Sequence, residues 1–167
     1  MNLPRVYLAG PDVFEPDARE RYAKLSVLAE ANGLQAIVPM DAEGEPTRVD
    51  HAPSQAAQRI FLATIARLDA ADGMVANLAD FRGCEPDSGT VFEVGYAVAC
   101  GIPVVGYGVP AAEYAARVAA YMPTVRGTDA TLREQATGRE VENFGQPLNL
   151  MLACAMQIAP DAEAAKA

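Results

Sequence analysis

GMVANLADFRGCEPDSGTVFEVGYAVACGIPVVGYG, residues 73–108, reads as one strand–helix–strand unit. GMVANL (73–78) and PVVGYG (103–108) are short apolar runs rich in valine and bounded by Gly, Pro and Asp, which is the pattern of strands. Between them DSGT (87–90) sets a carboxylate, two small turn-formers and a threonine ahead of VFEVGYAVA, which predicts a helix start. The same alternation continues on both sides. RVYLA (5–9) predicts a strand ended by Gly10-Pro11. From 16 to 31 apolar residues recur at Tyr22, Leu25, Leu28 and Ala29, a helical spacing that Asn32-Gly33 terminates. LQAIVP (34–39) predicts a second strand, and residues 41–50 form a polar, Gly- and Pro-containing loop expected to make a mobile rim. A long helix is expected over 53–71, with Ile60, Phe61, Ile65 and Leu68 on one face. Another is expected over 111–121, and a last one from Pro147 through NLMLACAMQIA, ahead of a polar, frayed tail, DAEAAKA. Strand and helix alternating throughout predict a doubly wound parallel sheet, an α/β fold with helices on both faces.

Composition narrows what such a fold does here. At 167 residues, with 51% apolar residues and no Trp, one domain with a sizeable core is expected. The formal charge of −9 argues against a nucleic-acid backbone or an anionic membrane as partner. Cys84, Cys100 and Cys154 have no metal-ligand spacing and make no even disulfide set, and the one histidine, His51, reads as a surface loop residue. No metal or cofactor is expected. MNLPRVYLAGP runs into a strand without a long apolar stretch, and no run reaches the roughly 20 residues that span a bilayer, so a cytoplasmic protein is expected.

In parallel α/β sheets ligands bind beyond the carboxyl ends of the strands. The segments leaving those ends carry Asp12, Asp41, Glu43, Asp80 and Asp87, and then Glu93. Acids gathered there suit carbohydrate or nucleoside chemistry. Glu93 is the most informative of them. It lies about one turn inside the helix that follows DSGT, where the positive end of the helix dipole favours a carboxylate. Phe92, Val94, Tyr96 and Ala97 give it apolar surroundings. Such a group can act as a nucleophile toward an anomeric carbon. Thr90 and Glu93 also fit the S/T-x-x-E capping box, in which Glu93 would serve only the helix.

Three separated segments resemble the nucleoside 2-deoxyribosyltransferase family: VYLAGPDVF (6–14), DSGTVFEVGYAVACGIPVVGY (87–107) and FGQPLNLM (144–151). The resemblance implies a single flavodoxin-like domain over residues 1–160. It implies that Glu93 takes the deoxyribosyl group, that Tyr7 orients this carboxylate, and that Asp87 binds the sugar 5′-hydroxyl. Asn149 would reach the same hydroxyl in a neighbouring subunit's site, making the enzyme a homo-oligomer. Gly10, Asp12, Phe14, Glu43, Thr64 and Gly89 would line the substrate, with Glu43 and Thr64 toward the base. The partners implied are nucleosides and free bases.

One position departs from the family. Where an Asp or Asn commonly faces the base, this chain has Thr64, which can hydrogen-bond but cannot act as a general acid near neutral pH. Protonation of the leaving base then falls to another group, such as Asp12, or to bound water, or else the activity is altered. Asp69 and Asp72 read as a helix-surface charge and a helix-to-strand junction. The rival functions are an N-glycosidic hydrolase of the same fold and a non-catalytic nucleotide sensor. Asp12 in the first loop would repel a phosphate, which favours an unphosphorylated nucleoside.

Overall fold

The computed structural model describes residues 3–40 and 53–165. The loop expected over 41–50, with Asp41 and Glu43, lies outside the described residues, as does His51.

Five strands form one parallel sheet: β1 (Arg5–Ala9), β2 (Gln35–Ile37), β3 (Gly73–Asn77), β4 (Val104–Tyr107) and β7 (Gln157–Ile158), in the spatial order β2-β1-β3-β4-β7. Register follows from the pairs Tyr7↔Ile37, Tyr7↔Met74 and Val75↔Val105. Helices α1 (Ala18–Ala31), α2 (Pro53–Asp69), α3 (Ser88–Ala99) and α4 (Tyr114–Tyr121) fall within the segments the sequence predicts.

The sheet is covered by helices on both faces because side chains alternate along each strand. Tyr7, Ala9, Met74, Ala76 and Val104 turn one way and pack with Leu68 of α2 and Val94 and Ala97 of α3. Val6, Leu8, Val75 and Val105 turn the other way and meet Tyr22 and Ala29 of α1. With both faces buried, the strands read as continuous apolar runs. Ala165, in the tail expected to fray, is buried in this second cluster.

Two parts differ from expectation. The last helix, α5 (Leu150–Ala153), is only four residues long. Beyond it the chain turns back as β7 and pairs with Val105 and Gly106, with the Ala159 amide donating to the Gly106 carbonyl at 2.8 Å. The free edge of β4 outcompetes helix continuation there. Between α4 and α5 lies an antiparallel hairpin that the sequence did not announce, β5 (Thr124–Arg126) paired with β6 (Leu132–Glu134).

Candidate active site

The site is assembled where the chain leaves β1 and β3, the two adjacent strands between which the strand order reverses. Asp87 ends the loop from β3 and caps α3: its Oδ2 accepts from the Thr90 amide at 2.9 Å and from the Thr90 hydroxyl at 3.1 Å. Gly89 permits this, since a Cβ there would lie 3.0 Å from the capping oxygen. With Asp87 as the N-cap, Glu93 falls beyond the first turn and outside the capping-box position. Its carboxylate meets β1 instead, accepting a hydrogen bond at Oε1 from the Tyr7 hydroxyl at 3.0 Å.

Tyr7 is wholly buried and Glu93 half-buried. Burial pushes the Glu93 carboxyl up to about 7, the Tyr7 bond opposes that rise, and the charge of Asp87 adds to it. Burial first, and then the Glu93 charge, drives the Tyr7 phenol far above its ordinary value, so it remains a proton donor. The result is a carboxylate that titrates near neutrality, aimed by a rigid phenol on a central strand.

Asp12, in the turn after β1, is buried, 6% exposed. Its two oxygens are engaged: Oδ1 by Arg21 at 3.3 Å and Oδ2 by the Asn77 amide at 2.7 Å. Asn77 also accepts from the Ala79 amide at 3.1 Å, so one side chain ties the turn after β1 to the turn after β3. Gly10 gives it room, because a Cβ there would sit 2.7 Å from the Asn77 Cβ. Asp80, another acid of this edge, is paired with Arg117 of α4. The acids expected to gather at the strand ends are thus partly neutralised by arginines. Neither Arg21, Asn77 nor Arg117 carried a local sequence signal for this role.

Phe14 is exposed and stacks on Phe81, with ring centroids 5.4 Å apart and the Arg82 guanidinium above both rings. Thr64 is half-buried on α2, one turn from Phe61, whose ring meets Phe92 of α3 at 6.0 Å. Asn149 caps α5. Its Oδ1 accepts from the Met151 amide at 3.0 Å and its Nδ2 donates to Glu142 at 2.7 Å. Asp72 accepts from the Arg5 amide, and Asp69 accepts from the Tyr96 hydroxyl. Both therefore have structural partners. Among the described residues no three His, Cys, Asp or Glu side chains are grouped to hold a metal ion, and no helix is long and apolar enough to cross a membrane.

Residues 6–151 match the family model described as nucleoside 2-deoxyribosyltransferase. A 2-desoxiribosyltransferase from Leishmania mexicana superimposes with a TM-score of 0.71 at 28% identity, over 97% of this chain and 93% of that one. A conserved protein from Enterococcus faecalis V583 shares the fold, with a TM-score of 0.58 at 21% identity, over 97% and 94% of the two chains. An uncharacterised protein of Schizosaccharomyces pombe is 34% identical over 122 residues, 71% of this chain. The match spans 56% of that relative's length.

Proposed function

The chain belongs to the nucleoside 2-deoxyribosyltransferase family, and from that premise we propose that it exchanges the base of 2′-deoxyribonucleosides through a covalent deoxyribosyl–Glu93 intermediate. The observation that carries this reading is the bond from the buried Tyr7 phenol to Glu93. It holds Oε1 and leaves Oε2 to attack C1′ of the sugar. As that C–O bond forms, the bond from C1′ to the base nitrogen breaks, its electron pair leaves with the base, and the base takes up a proton. A second base then attacks C1′ from the side the first one left, the ester bond breaks with its electron pair returning to Glu93, the incoming base gives up its N–H proton to water, and the carboxylate is restored with the anomeric configuration retained.

The phenol does two things in this scheme. It fixes the carboxylate against rotation, and it favours the ionised form that burial disfavours. Among the described residues Thr64 offers only a hydroxyl and the Asp12 oxygens are held by Arg21 and Asn77, so the proton for the departing base is assigned to water. At the sugar end, Asp87 keeps Oδ1 for the 5′-hydroxyl while Oδ2 caps the helix. Asn149 of a neighbouring subunit meets the same hydroxyl, and Phe14, Gly10 and Glu43 line the rest of the substrate.

The test is chromatography of 2′-deoxyinosine incubated with adenine and the enzyme, beside Glu93→Ala. Formation of 2′-deoxyadenosine and hypoxanthine, both absent with the variant, is expected. Hypoxanthine with free deoxyribose alone makes the protein a hydrolase, and undiminished exchange by Glu93→Ala overturns the assignment.

A further inference from the structure

Arg117 is 6% exposed, an unusual place for a guanidinium. Its donors reach three groups on two separate segments. Nη1 donates to the Pro147 carbonyl at 2.5 Å, and Nη2 donates to the Cys84 carbonyl at 2.5 Å and to the Asp80 carboxylate. Cys84 and Asp80 belong to the loop that ends at Asp87, three residues beyond Cys84. Pro147 lies two residues before Asn149. The Asn149 amide has little freedom of its own, because Glu142 holds its nitrogen and its own helix holds its oxygen. Glu142 also accepts from the Leu150 amide at 3.0 Å, so the cap is bonded to the chain on both sides of the Pro147 that Arg117 grips.

We propose that Arg117 is a positioning residue for the sugar end of the site. By bonding the Cys84 and Pro147 carbonyls at once, it keeps Asp87, which this subunit uses in its own site, in register with Asn149, which it lends to its neighbour's. The inference rests on the assignment of Asp87 and Asn149 to the 5′-hydroxyl. A planar fork suits this task because its donors diverge in fixed directions, whereas an ammonium group cannot address two carbonyls and a carboxylate with the same geometry. The Tyr7–Glu93 pair is held by β1 and α3 without Arg117, so the chemistry at C1′ stands apart from the clamp.

The experiment compares the full-length enzyme with Arg117→Lys, after thermal melting has shown the variant folded, using adenine as acceptor and either 2′-deoxyinosine or 2′,5′-dideoxyinosine as donor. For 2′-deoxyinosine a KM increase of about tenfold or more is expected, with kcat within about threefold. For the 5′-deoxy donor KM stays at the wild-type value, and the acid limb of the pH profile does not move. An equal KM increase for both donors, or a fall in kcat at constant KM, overturns the proposal. Should Arg117→Lys not fold, Asp80→Asn loosens the clamp from the loop side, and a smaller KM increase confined to the 5′-hydroxyl donor is expected. A substrate-independent change in that variant overturns the clamp. A wild type with equal KM for the two donors overturns the 5′-hydroxyl assignment together with the clamp. A wild type that discriminates and an Arg117→Lys that discriminates equally well overturns the clamp alone.

Discussion

Tyr7→Phe removes one hydroxyl from a wholly buried ring and leaves the packing of β1 against α3 in place. The lost contact is a 3.0 Å hydrogen bond to a carboxylate that titrates at about 7. A hydrogen bond to a charged acceptor contributes about 1.5–3 kcal/mol. At about 1.4 kcal/mol per factor of ten, the lower end reduces the ratio of ionised to neutral Glu93 roughly tenfold, which takes the ionised fraction at pH 7 from about half to about a tenth or less. Burial and the Asp87 charge then act on Glu93 without opposition. Exchange measured by chromatography at pH 7 is expected to fall about fivefold or more. The rising limb of kcat/KM, expected to cross about pH 7 in the wild type, is expected to move to higher pH in the variant, so much of the loss is recovered in alkaline buffer. A phenol with only a packing role would depress the whole profile and leave the limb where it was. An unmoved limb, or an undiminished rate at pH 7, refutes the reasoning.

Glu93→Gln is expected to abolish exchange and to stabilise the fold at alkaline pH. Its carboxyl rises from 4.5 to about 7 on folding, so the ionised form costs stability as pH increases across that interval. After discounting for partial exposure, the Gln variant is expected to be about 1–2 kcal/mol more stable above pH 7, with the advantage vanishing below about pH 4.5, in denaturant titrations at the two pH extremes. Gly10→Ala forces a Cβ to within 2.7 Å of Asn77, and a loss of about 1–3 kcal/mol, read as a lower melting temperature, is expected. Thr64→Asp supplies a carboxyl on the base side of the proposed site and is expected to accelerate exchange at mildly acid pH, where that group can carry a proton. A slower or unchanged rate there means base protonation does not limit turnover.

Much of the fold is legible in the chain because its strands are short apolar runs between Gly and Pro, and its helices repeat apolar residues at three and four. RVYLA, GMVANL and PVVGYG needed no more than that. The C-terminal segment failed for a nonlocal reason: NLMLACAMQI suits a helix by itself, but the pairing of Gln157 and Ile158 with β4 decides it. The hairpin was missed because its two strands have three residues each and few apolar side chains.

At the site, Glu93 stood out by its place in α3. Its link to Tyr7, 86 positions away, came only through family resemblance. The capping alternative was settled by Asp87, whose carboxylate takes the N-cap that the Thr90–Glu93 spacing suggested for Thr90. The Arg21–Asp12–Asn77 network and the Arg117 clamp leave no local trace, since each joins segments that meet only once the sheet has formed.

The most direct test of Glu93 as nucleophile is intact-mass spectrometry after incubation with a 2′-deoxy-2′-fluoronucleoside, whose fluorine destabilises the oxocarbenium-like transition state and slows release of the sugar. A protein adduct of one fluorosugar is expected, mapping to the peptide that contains Glu93, discharged by added adenine and absent from Glu93→Gln. An adduct on another residue, or one that forms equally on Glu93→Gln, contradicts the account.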